Sequence, residues 1–173
     1  MVKLLHNINA TLELQPPFYA GGLSRHLQQW QEITSDHNIL SVIKGFHLVF
    51  TSQPYQGQWP SQLITSDSDI KVADNLLKDL MSKHVIEPTT PNQYGFMSNI
   101  FLRPKRAGGH RLILNLKPLN PHVEYMHFKM TTFASALELV SPNYYMASID
   151  LSDAYYSVAV TPSHRKFLQF HFQ

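Results

Sequence analysis

Residues Ser148 to Val160 have the sequence SIDLSDAYYSVAV. Its apolar residues are typical of a buried strand, yet two carboxylates, Asp150 and Asp153, lie near its middle. An unpaired carboxylate is strongly disfavoured inside a protein core. The stretch therefore either reaches a surface at this point or places its carboxylates beside a cationic partner.

The composition is that of a folded globular chain. Of its 173 residues, 43% are hydrophobic and 15% are charged, which is atypical of a disordered protein. There is no cysteine, so a disulfide scaffold, a thiolate zinc site and a cysteine nucleophile are excluded. The N-terminus lacks the apolar run of a signal peptide, and no window is apolar enough to span a membrane. We therefore expect an intracellular protein, cytoplasmic or nuclear, that is not secreted and has no membrane partner.

Helical spacing is clearest between Ser66 and Pro88. The pattern predicts a helix that is capped by Ser68 or Asp69 and ends before Pro88. Its apolar face consists of Ile70, Ala73, Leu77, Leu80 and Met81. A second, short helix is predicted over TTFASALELV, opened by Thr131 or Thr132.

Strand patterns occupy the second half of the chain. SNIFLRPKR and HRLILNL flank Ala107, Gly108 and Gly109, which predicts a hairpin because glycine accepts the positive φ of tight turns. YYMASIDL and KFLQFHF are predicted as two further strands. Helices and strands without regular βαβ order indicate an α+β fold. Nothing follows the last strand to pack on it, so we expect a domain cut short.

The spacing of the two aspartates allows a metal site. On a continuous strand Asp150 and Asp153 point to opposite faces, but they approach one side if the chain turns near Ser152. Carboxylates and a freed backbone carbonyl at a strand end are hard oxygen ligands that suit Mg²⁺. A surface turn with two solvated aspartates explains the same spacing.

Positive charge is concentrated between Phe101 and Met130. The cations of this segment, set against the single acid Glu124, are Arg103, Lys105, Arg106, Arg111, Lys117 and Lys129. Such a concentration is what a polyanion-binding surface requires, although a solvated basic face has the same composition. A basic hairpin facing metal-binding carboxylates across a cleft would suit phosphoryl transfer.

Taken together, these segments resemble a known family. NIFLRPKRAGGHRLILNLKPLN combined with SIDLSDAYYSV resembles the fingers and first palm motif of retroelement reverse transcriptases. The upstream GGLSRHLQQWQEITSDHNILSVIKGF is similar to the leader of DIRS-type, tyrosine-recombinase retrotransposons. The resemblance covers residues 21–173 and implies a helical and irregular leader over 1–66, a fingers-like subdomain over 67–147 and the start of the palm over 148–173.

The resemblance implies roles for the palm residues and also implies binding partners. Asp150 resembles the first catalytic aspartate, which binds two Mg²⁺ or Mn²⁺ ions with help from the carbonyl of Leu151. Asp153 and Ala154 occupy the positions whose backbone amides contact the incoming triphosphate. Tyr155 is similar to the residue that excludes a ribose 2′-hydroxyl. The implied partners are an RNA or DNA template–primer, deoxynucleoside triphosphates and the rest of a retroelement polyprotein.

The hairpin supplies the implied triphosphate cations. Arg111 resembles the fingers arginine that contacts the triphosphate, and Lys105 or Arg106 would be a second cation nearby. The family usually places an acidic residue after the basic pair, whereas this chain has Ala107. The hairpin cations can therefore be aligned with the family motif in positions that differ by one residue.

The sequence contains no Tyr-x-Asp-Asp segment, the second catalytic motif that the family needs. Asp150 as the sole catalytic palm aspartate cannot hold two divalent ions in fixed geometry, so we expect the 173-residue chain not to polymerise alone. The leading hypothesis is an N-terminal fragment of a reverse transcriptase that extends a primer in its full-length form. Two alternatives stay open: a catalytically dead remnant that binds nucleic acid, and a protein-interaction module.

Overall fold

The structure is a computed structural model that describes residues 18–141, 143–145 and 150–172. Within these ranges the α-helices are α1 (Leu27–Ile33), α2 (His37–Lys44), α3 (Asp67–Ser82), α4 (Phe133–Leu137) and α5 (Pro162–Arg165). The strands are β1 (Met97–Ser98), β2 (Ile100–Pro104), β3 (His110–Leu114) and β4 (Gln169–Phe170). Short 3₁₀ helices cover Gly22–His26, Asn120–His122, Ala154–Ser157 and Lys166–Leu168. This mixture of helices and small sheets confirms the α+β class.

The predicted long helix is present as α3, but its cap is neither Ser68 nor Asp69. Ser66 has extended backbone angles, and its hydroxyl accepts a hydrogen bond from the Asp69 N–H at 3.2 Å. An N-cap needs this combination, because its side chain must satisfy an amide in the first turn. Thr132 caps α4 in the same way, as predicted.

The C-terminus of α3 closes with a residue in the left-handed region. His84 has φ 58°, its N–H donates to the Met81 carbonyl at 3.0 Å, and the Val85 N–H donates to the Leu80 carbonyl at 2.9 Å. This pair of bonds is the Schellman motif, in which glycine is the usual left-handed residue. The helix therefore ends at a defined point and releases the chain toward β1.

The predicted hairpin is confirmed as β2 paired antiparallel with β3. The register places Arg103 opposite Arg111 and Ile100 opposite Leu114. Gly108 and Gly109 have φ 89° and 75°, the left-handed angles that the turn requires. The connection is closed by a hydrogen bond from the Lys105 N–H to the Gly109 carbonyl at 2.9 Å.

One of the two other predicted strands needs correction, and the other lies half outside the described residues. In KFLQFHF, the residues Lys166–Leu168 form a 3₁₀ helix, and only β4 is extended, paired parallel with β1. The tight turn brings Phe167 into the core, and the Lys166 carbonyl accepts from the Phe96 N–H at 2.9 Å. In YYMASIDL, residues 146–149 lie outside the described ranges, and the described residues on either side are not in a strand.

Two clusters of buried residues form the core. One lies where α3 packs on the hairpin and contains Ile64, Ala73, Leu77 and Ile100. The other, which joins the chain around β1 to the end of the described region, contains Phe96, Leu119 and Phe167. Leu119, at 1% exposure, is the most completely enclosed large side chain of the described residues.

Candidate functional site

Asp150 lies at the protein surface. Asp150 and Leu151 are outside regular secondary structure, and Leu151 is 70% exposed. Because Asp150 is exposed as well, its carboxylate stays hydrated and the cost of burying a charge does not arise. Of the two explanations for carboxylates in an apolar stretch, the surface position holds for Asp150.

Asp153 has the cationic partner. Lys83 Nζ lies 3.2 Å from Asp153 Oδ2 and 3.0 Å from Asp79 Oδ2. The side chains of Lys83 and Asp153 are 31% and 34% exposed, so solvent reaches the pair only in part. The hydrogen bond to Asp79, and to a smaller extent the hydrogen bond to Asp153, raise the pKa of Lys83 above its ordinary value, because both favour the charged ammonium. The three side chains tie the end of α3 to the loop that carries Asp153.

The chain turns sharply at Asp153. This residue has φ 53° and ψ 25°, in the left-handed region, and it precedes the 3₁₀ helix Ala154–Ser157. The Tyr156 N–H donates to the Asp153 carbonyl at 2.9 Å. A turn near Ser152 was the condition for bringing the aspartates toward one side, and that turn is present. We call residues 152–156 the aspartate turn.

A second segment holds the aspartate turn from the opposite direction. The Gly21 N–H donates to the Tyr156 carbonyl at 2.7 Å, and the neighbouring Ala20 N–H donates to the Lys83 carbonyl at 3.0 Å. Gly21 has φ 73°, and a Cβ added there would lie 2.9 Å from the Cβ of Ala159. This close approach needs glycine, and it connects Ala20 and Gly21 to both ends of the lysine–aspartate link.

Tyr155 is 95% exposed and lines a cavity of about 1060 Å³. Tyr19 and His84 line the same cavity, with their ring centroids 4.3 Å apart. Arg165 and Glu87 line it as well and form an ion pair at 3.0 Å. The aspartate turn therefore presents an accessible aromatic ring beside a large opening with polar and aromatic walls.

The hairpin concentrates exposed cations at its end. Arg103 and Arg111 are direct register partners, and Lys105 and Arg106 follow in the connection between the strands. The Arg103 guanidinium lies 5.6 Å from the ring centroid of Phe101. Like charges directly opposite each other on a sheet are destabilising unless an anion neutralises them. Arg103 is therefore available to a polyanion together with Arg111, as the concentration of charge in this segment predicts.

The structure brings together one half of the predicted site. Asp153, Ala154 and Tyr155 share the aspartate turn. Among the described residues, no hydrogen bond or ion pair connects Arg111 with either Asp150 or Asp153. The site roles assigned by resemblance stay predictions.

The hairpin prediction includes Arg103 among its cations but gives neither its partner across the sheet nor the role of Lys83. Arg103 faces Arg111 across the hairpin, a relation that follows from centring the turn on Ala107. Lys83 lies 70 positions from Asp153, and no local pattern indicates that the two residues meet.

Potential metal ligands are dispersed over the described part of the chain. Over ranges 18–141, 143–145 and 150–172, no group of three or more histidine or acidic side chains is positioned to hold a metal ion. Exposed carboxylate and carbonyl oxygens are suitable Mg²⁺ ligands, so the donor types at Asp150 and Leu151 fit the implied metal. Metal binding there stays a prediction.

No helix in the described part of the chain is long and apolar enough to cross a membrane.

Comparison with known proteins gives a likeness of fold. No family model and no curated protein matches the chain. Among solved structures, the chain is similar to the crystal structure of a CSH mutant of prototype foamy virus protease-reverse transcriptase, with 14% identity and a TM-score of 0.56. The similarity covers 90% of this chain and 24% of that chain. The chain thus has a fold similar to part of a retroviral protease-reverse transcriptase.

Proposed function

We propose that this chain is part of a DIRS-type retrotransposon reverse transcriptase. Residues 1–66 would be the leader, 67–147 the fingers and 148–173 the start of the palm. In the complete enzyme, these parts would help to add deoxynucleotides to a primer on an RNA or DNA template. The observation that supports the proposal most directly is the fold likeness over 90% of the chain.

On the palm side, the proposal assigns the metal and nucleotide contacts to the chain around the aspartate turn. The exposed Asp150 carboxylate and the Leu151 carbonyl would hold a divalent ion. Bound Mg²⁺ or Mn²⁺ would neutralise phosphate charge and activate a primer hydroxyl. A left-handed residue followed by right-handed ones turns successive N–H groups to one side, which forms a concavity that accepts anions. The left-handed Asp153 before helical Ala154 meets this condition and supports triphosphate contact by their amides.

Tyr155 would select deoxynucleotides. Its ring is 95% exposed, one residue after the amides that would contact the triphosphate. A ring at this position would collide with a ribose 2′-hydroxyl but leave room for a hydrogen atom. The high exposure supports this role because the side chain has no packing function that would keep it away from a ligand.

On the fingers side, the hairpin cations would bind phosphates. Arg111 presents a fork of N–H donors that matches two phosphate oxygens, and Lys105 or Arg106 adds a second positive charge. The register pairing of Arg103 with Arg111 supports this assignment, since two guanidinium groups placed opposite each other favour a shared anion.

Salt dependence tests nucleic-acid binding. If about five cations contact phosphates, the logarithm of affinity for a primer–template should fall against the logarithm of salt with a slope of about −3.5 to −4.5. Arg111→Ala should lower the affinity and reduce the slope by about one. Lys71→Ala, which removes an exposed cation on α3 that is not part of the hairpin, should leave the slope unchanged. Binding without a salt slope, or no binding at low salt, would leave only the protein-interaction hypothesis.

Divalent-ion response tests the palm assignment separately. Asp150→Asn should weaken the effect of Mg²⁺ on deoxynucleotide binding and leave primer–template binding in the absence of Mg²⁺ unchanged. Asp74→Asn is the matched control, because Asp74 is a surface aspartate already paired with Lys78 on α3. If both variants respond to Mg²⁺ like the parent chain, the metal assignment to Asp150 is wrong.

A further inference from the structure

We propose that Lys83 is a positioning residue for nucleotide binding, acting through Asp153 to hold the aspartate turn and to cancel its negative charge. The inference rests on the proposed nucleotide site. Its ligand is the triphosphate group of a deoxynucleotide. The inference adds a residue outside the palm and outside the basic hairpin, placed at the end of α3.

The geometry makes Lys83 a fixed bridge. Its ammonium lies between two carboxylates, with Asp79 one helical turn earlier at 3.0 Å and Asp153 at 3.2 Å. The bond to Asp79 restrains the long lysine side chain, and the backbone at Lys83 is anchored because its carbonyl accepts from the Ala20 N–H. The ammonium is thereby presented to Asp153 from a helix end whose own geometry is set by the left-handed His84.

The position of Asp153 explains why its charge matters. The residue whose amide would contact phosphate also carries a carboxylate at the end of its short side chain. An unpaired carboxylate there would repel a triphosphate, which carries several negative charges. With Lys83 in place, the group of Lys83, Asp79 and Asp153 carries a net charge of about −1 instead of the −2 it would carry without the lysine, so the triphosphate meets the N–H groups with less repulsion.

The other side of the aspartate turn is held by backbone alone. The Gly21 N–H bonds the Tyr156 carbonyl at 2.7 Å, so one contact fixes the end of the turn without charge. Loss of the lysine should therefore change charge and mobility at Asp153 more than at Tyr156. This difference separates the proposed role from a general contribution to folding.

The test is titration of the 173-residue protein with dTTP and Mg²⁺, and separately with inorganic triphosphate, followed by the NMR signals of backbone amides. We expect Lys83→Met to weaken both ligands about three- to fivefold, the range that a partly exposed ion pair allows. Lys83→Arg should bind like the parent. Lys83→Met combined with Asp153→Asn should regain most of the lost affinity, because the unpaired charge is gone. Lys78→Met is the matched control, since Lys78 pairs with Asp74 at 2.6 Å on the same helix.

The outcomes separate this inference from the proposed function. If the parent binds dTTP and Lys83→Met binds equally well, the role of Lys83 is wrong and the nucleotide site stands. If the double variant binds as weakly as Lys83→Met, charge cancellation is wrong. If the parent binds neither ligand, the nucleotide site fails and the inference fails with it. Weak binding by Lys83→Met with recovery in the double variant supports the inference.

Discussion

His164 Nδ1 accepts a hydrogen bond from the backbone N–H of Leu48 at 2.9 Å, across 116 positions of sequence. Because Nδ1 is the acceptor, the neutral ring carries its proton on Nε2. The ring also packs at a steep angle against Phe50 and Phe167, with centroids 5.8 Å and 6.1 Å away. One histidine thus joins the chain that follows α2 to α5 and to the second core cluster.

This bond predicts a difference between two variants of equal shape. His164→Asn keeps an acceptor attached to Cγ, whereas His164→Leu leaves the Leu48 N–H without its partner. We expect the asparagine variant to have a free energy of unfolding about 1 kcal/mol higher than the leucine variant. Urea denaturation measures both values. A leucine variant as stable as the asparagine variant would show that this hydrogen bond does not stabilise the folded state.

The left-handed conformation of His84 predicts that glycine is more stable than alanine at this position, the reverse of the order inside a helix. His84→Gly and His84→Ala both lose the ring contact with Tyr19, but only alanine is strained at φ 58°. The glycine variant should be more stable by about 1 kcal/mol. At Asn75, an exposed residue in the middle of α3, the order should reverse, with alanine more stable by about 0.5–1 kcal/mol. Thermal or urea unfolding of the four variants checks the sign at each position.

Gly95 predicts a severe packing defect. A Cβ added at Gly95 would overlap the Lys166 carbonyl oxygen and lie 2.9 Å from Gln169 Oε1. Gly95→Ala should therefore destabilise the protein by about 1–3 kcal/mol, as overpacking does elsewhere. Gly22→Ala is the control, since nothing lies within 4 Å of its added Cβ, and it should change stability by less than about 0.5 kcal/mol. Equal stability of the two variants would contradict the packing around β1 and β4.

The raised pKa of Lys83 predicts a stability change at alkaline pH. The folded state favours the ammonium more than the unfolded state does, so the stabilisation is complete below the ordinary lysine pKa. It is lost as pH rises through the raised value. The difference in unfolding free energy between the parent and Lys83→Met should be constant up to about pH 10 and shrink above it. Urea denaturation across this range measures the difference, and a constant value at every pH would argue against the ion pair.

Local patterns were sufficient for the elements whose signals do not depend on distant residues. The hairpin follows from strand-forming residues around Gly108 and Gly109, and α3 follows from apolar spacing. The cap of α3 was misplaced because several serines and aspartates near its start satisfy the same residue preference. The extended backbone angles of Ser66 and its hydrogen bond from the Asp69 N–H identify it as the capping residue.

The strand predicted over KFLQFHF is confirmed at Gln169–Phe170 and wrong over Lys166–Leu168, for a different reason. Alternating apolar residues fit a strand, but Phe167 is buried with Phe96 and Leu119, and the chain reaches that position through a 3₁₀ turn. Tertiary packing outweighed the local preference, as it does in short segments whose hydrogen bonds are few. The alternation of apolar residues in KFLQFHF does not indicate that Phe96 and Leu119 lie next to Phe167.

The chain's sequence was enough to predict an α+β domain, the basic hairpin and a likeness to reverse transcriptases that the structure supports at the level of the fold. These features depend on residue type, spacing and turn chemistry, which are local. The tertiary structure decided how the aspartates avoid the cost of burial: Asp150 reaches the surface, and Asp153 meets Lys83. That outcome depends on bringing together residues 70 positions apart, and ionic attraction acts through space rather than along the chain.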